Sequence, residues 1–394
     1  MNIKSFVIYI AISLLAISAY AQNNSNNQGS AAKNMADVQN SKIVLGPRFT
    51  IDISKDGKER QFPFVYKFGK NIFISYSEHS DAVVASPVDA MMISRNNGKT
   101  WDKKITNEDF YLTSMFQKDH ILYGVVYFTY PESPLKEKMV YWTSVDKGNT
   151  WQRREGTVNA LEGHPFTTTK GIWGSMLFHR GMMVMKDGSI QGVMYGQLEG
   201  DKKYRVVWVK SIDNCKTWNI IATVASGIPD RGLKNPQGYC EPNFTRVRDG
   251  SILCIMRMGS YLPLFQSRSY DNGLTWTKPV PLPGLPDSVS ESVDPNLLLM
   301  KSGVLALSYG RPGDKMAFST DGCGYKWDVH LNTYEGVTTG YTGIVEVKRN
   351  KLLLIADQGA DWSKGANEKA IWGRFIHVDL KPISPATDTN KKTN

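Results

Sequence analysis

Short apolar runs separated by polar turns recur along nearly the whole chain, and their alternation has the period of strands. An apolar strand reaches a tight turn, and a second strand leads out of it. The turns contain Gly69, Asp119, Asp187 with Gly188, Asp249 with Gly250, Ser302 with Gly303, and Arg349 with Asn350. The outgoing strands read NIFISYS, HILYGVVYF, SIQGVMYG, SILCIMR, VLALSYG and KLLLIAD. Asp-Gly between apolar runs is a hairpin signal, because Gly supplies the positive φ that the turn requires. A third strand follows in each unit, as in DAMMIS, KMVYWTS, YRVVWVKS, LFQSRS and KMAFS. Helical periodicity is almost absent, so the pattern predicts an all-β chain.

Five of these third strands run into one motif. SRNNGKTW begins at Ser94, SVDKGNTW at Ser144, SIDNCKTW at Ser211 and SYDNGLTW at Ser269, with a looser STDGCGYKW from Ser319. Asp and Gly suit a tight turn, Thr opens the next strand, and the Trp is expected to pack between units. Asn96 replaces the Asp in the first copy and Cys215 replaces the Gly in the third, drift that suits a structural role. Repeats about fifty to seventy residues apart indicate a radial array. Six turns and five motifs leave the last unit without a fourth strand. The segment SKIVLGPRFTI, from Ser41 to Ile51, can supply it, because joining the chain ends in one unit leaves no open edge. The expectation is a six-bladed β-propeller over residues 41–381, closed by its N-terminal strand.

Composition adds a compartment. The chain has 394 residues, 41 % apolar and 21 % charged, enough to bury a core. Lys4, the apolar run from Phe6 to Ile17 and Ala-Tyr-Ala before Gln22 read as a signal peptide over residues 1–21. An Asn-, Ser- and Gln-rich leader follows to residue 40, and residues 382–394 form a polar tail. The expected location is secreted or periplasmic, with no span in the mature chain. The net charge of +10 falls to +9 when Lys4 leaves with the signal. No Lys/Arg run or basic helix accompanies that charge, so acidic glycans fit it better than nucleic acid. Four cysteines, Cys215, Cys240, Cys254 and Cys323, permit two disulfides in three pairings or free buried thiols. The histidines show no ligand spacing, and neither a metal nor a cofactor is expected.

The repeats resemble the Asp boxes of the sialidase superfamily, a likeness that covers about residues 41 to 380 and implies the same six blades. EPNFTRVRDGSILCIMR is similar to the family's fourth-blade pattern, with Glu241 followed sixteen residues later by Arg257. In SYGRPGDKMAFS, Arg311 lies eight residues before Ser319, as the family's fifth-blade arginine does. TTGYTGIVEV resembles the segment opening the last blade and puts Tyr341 in the nucleophile position. Asp81, thirteen residues before Ser94, matches the acid/base position, with Asp89 as its competitor. The family's first arginine, in Arg-Ile-Pro, has no direct counterpart in ERQFPFVYKFG. Gln61 stands two before Pro63, Arg60 is one position off and Arg48 is farther away. A one-residue slip turns a strand side chain to the other face, so Arg60 completes the triad only through a bulge.

The resemblance implies a retaining exo-glycosidase that releases terminal sialic acid or a related acidic sugar. Two guanidiniums would grip the carboxylate, and a neutral Tyr341, relieved of its proton by Glu241, would attack where an anionic nucleophile is repelled. Asp81 would serve the leaving oxygen and then water. His79, Glu78, His164 and Trp173 stand near the expected mouth. The alternatives are an exo-hydrolase or lyase on another glycan, which the altered arginine motif favours, and a non-catalytic glycan-binding propeller.

Overall fold

The computed structural model describes residues 42–81, 88–168, 174–285, 293–359 and 369–384. The proposed signal, leader and most of the tail lie outside them. The described residues form an all-β chain, as the alternation predicts. No helix among them is long and apolar enough to cross a membrane.

After β1 (Ile43–Ile53) come β2 (Gln61–Phe68), β3 (Asn71–Ser77), β4 (Val88–Ser94) and β5 (Lys103–Glu108), one antiparallel four-stranded sheet. The next two runs are β6 (Leu112–Lys118), β7 (Ile121–Ser133), β8 (Lys136–Ser144) and β9 (Gln152–Asn159), then β10 (Met176–Val184), β11 (Ile190–Gly196), β12 (Arg205–Ser211) and β13 (Thr217–Ala225). Their outer strands β9 and β13 pair in parallel, from Thr157 opposite Thr217, which merges the two runs into one eight-stranded sheet. Then follow β14 (Cys240–Arg246), β15 (Ile252–Arg257), β16 (Phe265–Ser269) and β17 (Val280–Pro281), and β18 (Asn296–Leu299), β19 (Leu305–Gly310), β20 (Asp314–Ser319) and β21 (Val329–Tyr334). In the last sheet β22 (Thr342–Lys348), β23 (Lys351–Gln358) and β24 (Ala370–Val378) are completed by β1, whose Ile43 faces Val378 and whose Ile53 faces Ala370.

Two observations arrange these units. The first strands β2, β6, β10, β14, β18 and β22 each contact the next, and β22 contacts β2. The hydrophobic clusters also straddle neighbours. Phe73 and Ile93 pack with Phe110 and Leu122, and Val65 and Ile74 pack with Leu353 and Ile355 across the first and last units. Alternate strand positions bury on both faces, which explains why β11, β15, β19 and β20 are buried end to end.

The repeated motif is a turn held from within. Asp146 accepts the amides of Asn149 and Thr150, each at 2.9 Å, while the Ser144 hydroxyl accepts Gly148 N–H at 2.8 Å. Asp271 and Ser269 repeat this, and Asn96 with Ser94 reproduces it without the charge. Gly273 has φ 94°, and a Cβ there would overlap the Trp208 indole. Trp276 packs 5.2 Å from Trp208 of the preceding unit, and Trp151 lies 6.4 Å from Phe73, so these tryptophans join units. The cysteines are four free buried thiols.

Candidate functional site

Glu241 lies where β14 departs from its register with β15, between Cys240 and Asn243, and it has φ 44°. The irregularity aims the carboxylate inward, where Oε1 accepts the Tyr341 hydroxyl at 2.6 Å and pairs with Arg257 Nη1. Oε2 accepts the Asp294 amide at 3.1 Å. Glu241 and Arg257 are buried, and burial, followed by the Glu241 charge, pushes the Tyr341 phenol well above its ordinary value. The phenol is therefore neutral and donates to the carboxylate. Burial opposes the charge on Arg257, but Glu241, together with smaller contributions from Cys240, Tyr341 and Tyr195, raises the guanidinium.

Arg257 and Arg311 converge on a single hydroxyl. Ser260 Oγ accepts Arg257 Nη2 at 2.8 Å and Arg311 Nη1 at 3.1 Å, and Arg311 Nη2 donates to the Thr339 carbonyl at 2.7 Å. The structure thus brings together Glu241, Tyr341, Arg257 and Arg311.

Tyr341 also lines a cavity of about 470 Å³. Asp81 lines the same cavity, beside His79 and Ser80, so a fifth sequence-derived group faces the phenol's chamber. Phe62, Phe64, Tyr111, Tyr127 and Tyr195 supply much of the remaining wall. Their hydroxyls are directed into protein: Tyr111 donates to the Phe62 carbonyl at 3.0 Å, and Tyr127 and Tyr195 bond each other. His79 Nδ1 lies 2.8 Å from the Ser80 carbonyl and Nε2 lies 3.5 Å from Asp89. Burial lowers the imidazole, but Asp89 and the Ser80 carbonyl raise it further, for a net upward shift. Asp89, buried behind His79, is itself raised by burial. Among the described residues no cluster of His, Cys, Asp and Glu is arranged to hold a metal ion.

Arg60 is a correction. It is buried against Asp52 at 2.7 Å, Glu78 at 3.1 Å and Asp56 at 3.2 Å, with Lys104 completing the cluster, and it does not line the cavity. The bulge that could have rescued it exists, between Gln61 and Phe64, but it delivers a different side chain. Phe62, at φ 56° with its amide on Asp357 Oδ2, is turned into the cavity and packs 4.7 Å from the Tyr341 ring. Glu78 is consumed by the same ion cluster. Arg48 stacks 4.3 Å from the Tyr334 ring on the closing strand. His164 is exposed in a loop and does not line the cavity, and Trp173 lies outside the described residues.

Sequence reasoning missed a buried group beneath the cavity. Arg180 Nε donates to Asp294 at 2.7 Å, His179 Nε2 lies 3.3 Å from the same carboxylate, and the Arg180 guanidinium sits 4.5 Å from the Phe64 ring. Asp294 therefore ties Arg180 to Glu241 through its backbone amide. The available signal was His-Arg-Gly inside the otherwise apolar strand MLFHRGMMV.

The BNR repeat-like domain family matches residues 125–366. The chain belongs to that family. Its solved structural neighbours include sialidases. A Hadza microbial sialidase superposes with a TM-score of 0.60 at 15 % identity, over 80 % of this chain and 65 % of that one. Trypanosoma rangeli sialidase in complex with the inhibitor DANA gives 0.55 at 12 % identity, over 84 % of this chain but 60 % of that one. A Dyadobacter fermentans protein described as of unknown function gives 0.62 at 16 % identity, over 86 % of this chain and 99 % of that one. This chain thus spans about 60 % of the length of the trypanosomal enzyme. These likenesses establish the fold. No curated protein matches the sequence.

Proposed function

We propose that the chain is an exported retaining exo-glycosidase, built as a six-bladed propeller whose last blade is closed by β1, and acting on a terminal acidic sugar. The cyclic contacts of the first strands support the architecture, and residues 1–21 support export. The observation that carries the activity is the 2.6 Å hydrogen bond from the Tyr341 hydroxyl to Glu241, at the wall of a cavity that also holds Asp81.

In the first step Glu241 takes the phenolic proton as Tyr341 Oη bonds to the anomeric carbon. The bond to the leaving oxygen breaks, and Asp81 protonates that oxygen. In the second step Asp81 takes a proton from water, the water oxygen replaces Tyr341 at the carbon, and the phenolate recovers its proton from Glu241. Arg257 and Arg311 do not line that cavity themselves; they meet at Ser260 on the Glu241 side of Tyr341, where the pair of guanidiniums would receive a sugar carboxylate.

A second reading, a hydrolase or lyase acting on another glycan, is favoured by the burial of Arg60 in an ion cluster and by the aromatic cavity wall. A fluorogenic sialoside and a panel of acidic polysaccharides separate the two. The first reading requires sialoside hydrolysis that falls by about 10²–10⁴-fold in both Tyr341→Phe and Glu241→Gln without loss of fold. Turnover of a polysaccharide but not the sialoside selects the second. Undiminished turnover in both variants refutes the assigned roles.

A further inference from the structure

A second cleft lies at the other end of the strands. β3 runs from Asn71 to Ser77, and the Tyr341 cavity uses Ser77, His79, Ser80 and Asp81 at and beyond its end. Residues 69–71, at its start, line a separate cleft of about 400 Å³. Seven residues of strand separate the two by roughly 20 Å. The cleft is bounded by the turn before β3, the turn before β7 and the first two Asp-box turns.

Its lining is one-sided in charge. Lys70, Arg95, His120 and Lys147 contribute, and no carboxylate does. Phe68 and Leu122 add apolar surface, and Asn71 and Gln117 add amides. Arg95 is pre-organised across the two turns: Nη1 donates to the Lys147 carbonyl and Nη2 to Asn149 Oδ1 at 2.7 Å. Two of its five N–H groups are thereby spent and three remain.

The neighbouring motif carboxylate stays charged but is bound to its own turn and does not line the cleft. Asp146 accepts bonds from Ser144, Asn149 and Thr150, which hold it down at about 2. The first motif dispenses with its carboxylate altogether. Asn96 Oδ1 accepts the amides of Lys99 at 3.1 Å and Thr100 at 2.9 Å, the bonds an Asp makes in the other copies. The amide has a use within the turn, since Nδ2 donates to Thr100 Oγ1 at 2.8 Å, whose hydroxyl donates on to Asp102 at 2.9 Å. The exchange also removes a negative charge beside Arg95.

We propose that this cleft is a second carbohydrate site, taking a carboxylate- or sulfate-bearing sugar of a polyanionic glycan and holding it while the Tyr341 cavity works elsewhere. Cations on several sides, amides for hydroxyl groups and an aromatic surface for a ring face are the groups such a sugar requires. A lone inorganic anion would use the cations but not the amides or the apolar residues.

Calorimetric titration of the full mature chain with a chondroitin sulfate tetrasaccharide tests this, with cellotetraose as the neutral control and sodium sulfate as the free anion. The tetrasaccharide should bind saturably and more weakly as salt rises, and cellotetraose should not bind. Asn96→Asp should weaken binding several-fold, and Lys147→Gln should do the same without moving the thermal midpoint. Arg95→Gln should cost about tenfold or more. Tyr341→Phe should bind as the parent does, which separates this site from the proposed activity. Affinity unchanged in both Asn96→Asp and Lys147→Gln overturns the proposal, as does binding lost in Tyr341→Phe. Sulfate binding as tightly as the tetrasaccharide overturns the sugar assignment.

Discussion

Replacing Asp314 with Asn probes the hydrogen-bond arithmetic of the turn that presents Tyr341. Thr338 Oγ1 lies 2.8 Å from Asp357 Oδ1 and 3.1 Å from Asp314 Oδ1, and it accepts Gly340 N–H at 3.0 Å. A hydroxyl has one proton to donate, so one of the two carboxyls must donate to it instead. Asp357 receives the Thr338 hydroxyl, the Thr339 amide and hydroxyl, and the Phe62 amide, so it is the acceptor on every side. Asp314 therefore carries the proton. Burial, and then the Asp357 charge, raise it well above its ordinary 3.8. A carboxyl raised by folding contributes stability that is fully present below its unfolded value and is lost as pH climbs toward the folded one. While Asp314 keeps its proton, the loss is on the order of 1 kcal/mol per pH unit. Asn donates the same hydrogen bond without taking up a proton. Urea unfolding at pH 6, 7 and 8 should show Asp314→Asn gaining on the parent at each step, by on the order of 1 kcal/mol per pH unit. Burial raises the Asp357 carboxyl to about 6, so the comparison is made from there upward, where Asp357 is the acceptor. Parallel curves for parent and variant would mean that Asp314 is ionised in the fold and that the donor count is wrong.

Two further outcomes distinguish structural from functional groups. Arg60→Gln should lower unfolding stability by about 3 kcal/mol, because Asp52 and Glu78 lose a buried counter-charge, yet leave KM unchanged; a raised KM would return Arg60 to the site. Ellman's reagent should find no reactive thiol in the native protein and four after denaturation, since Cys215, Cys240, Cys254 and Cys323 are buried and unpaired; fewer than four in the denatured, unreduced chain would indicate a disulfide.

How much of this was written in the sequence depended on whether the signal was local. The hairpin turns and motif turns were legible because Asp, Gly and Thr at fixed offsets dictate their own backbone. The spacing of Glu241 and Arg257 survived because both lie on one hairpin, where Cys240 faces Arg257 across the ladder. The role of Arg60 stayed open because side-chain direction at that point depends on a bulge whose size the sequence does not state. The buried Arg180, His179 and Asp294 were invisible for another reason. A charged side chain in an apolar strand reads as an interruption until its partner, 114 residues away for Arg180 and Asp294, is known.

That bulge belongs to a series. Before or within the first strand in each unit stands a residue with positive φ: Phe62 at 56°, Asp109 at 51°, Arg180 at 40°, Glu241 at 44°, Asp294 at 48° and Gly340 at 82°. Five of the six are not glycine, and such conformations cost of order 1–3 kcal/mol each. The first strands contact one another in sequence, so these irregularities lie along one run of neighbouring strands. Phe62 enters the cavity, Glu241 receives Tyr341, Asp294 supports Glu241 and Arg180, and Gly340 precedes Tyr341. A regular strand would send alternate side chains into the packing between units. A positive-φ residue breaks that alternation and releases a side chain toward the middle. The fold's regularity and its site thus have opposite backbone requirements. The site is assembled where several first strands depart from the geometry that their sequences otherwise favour.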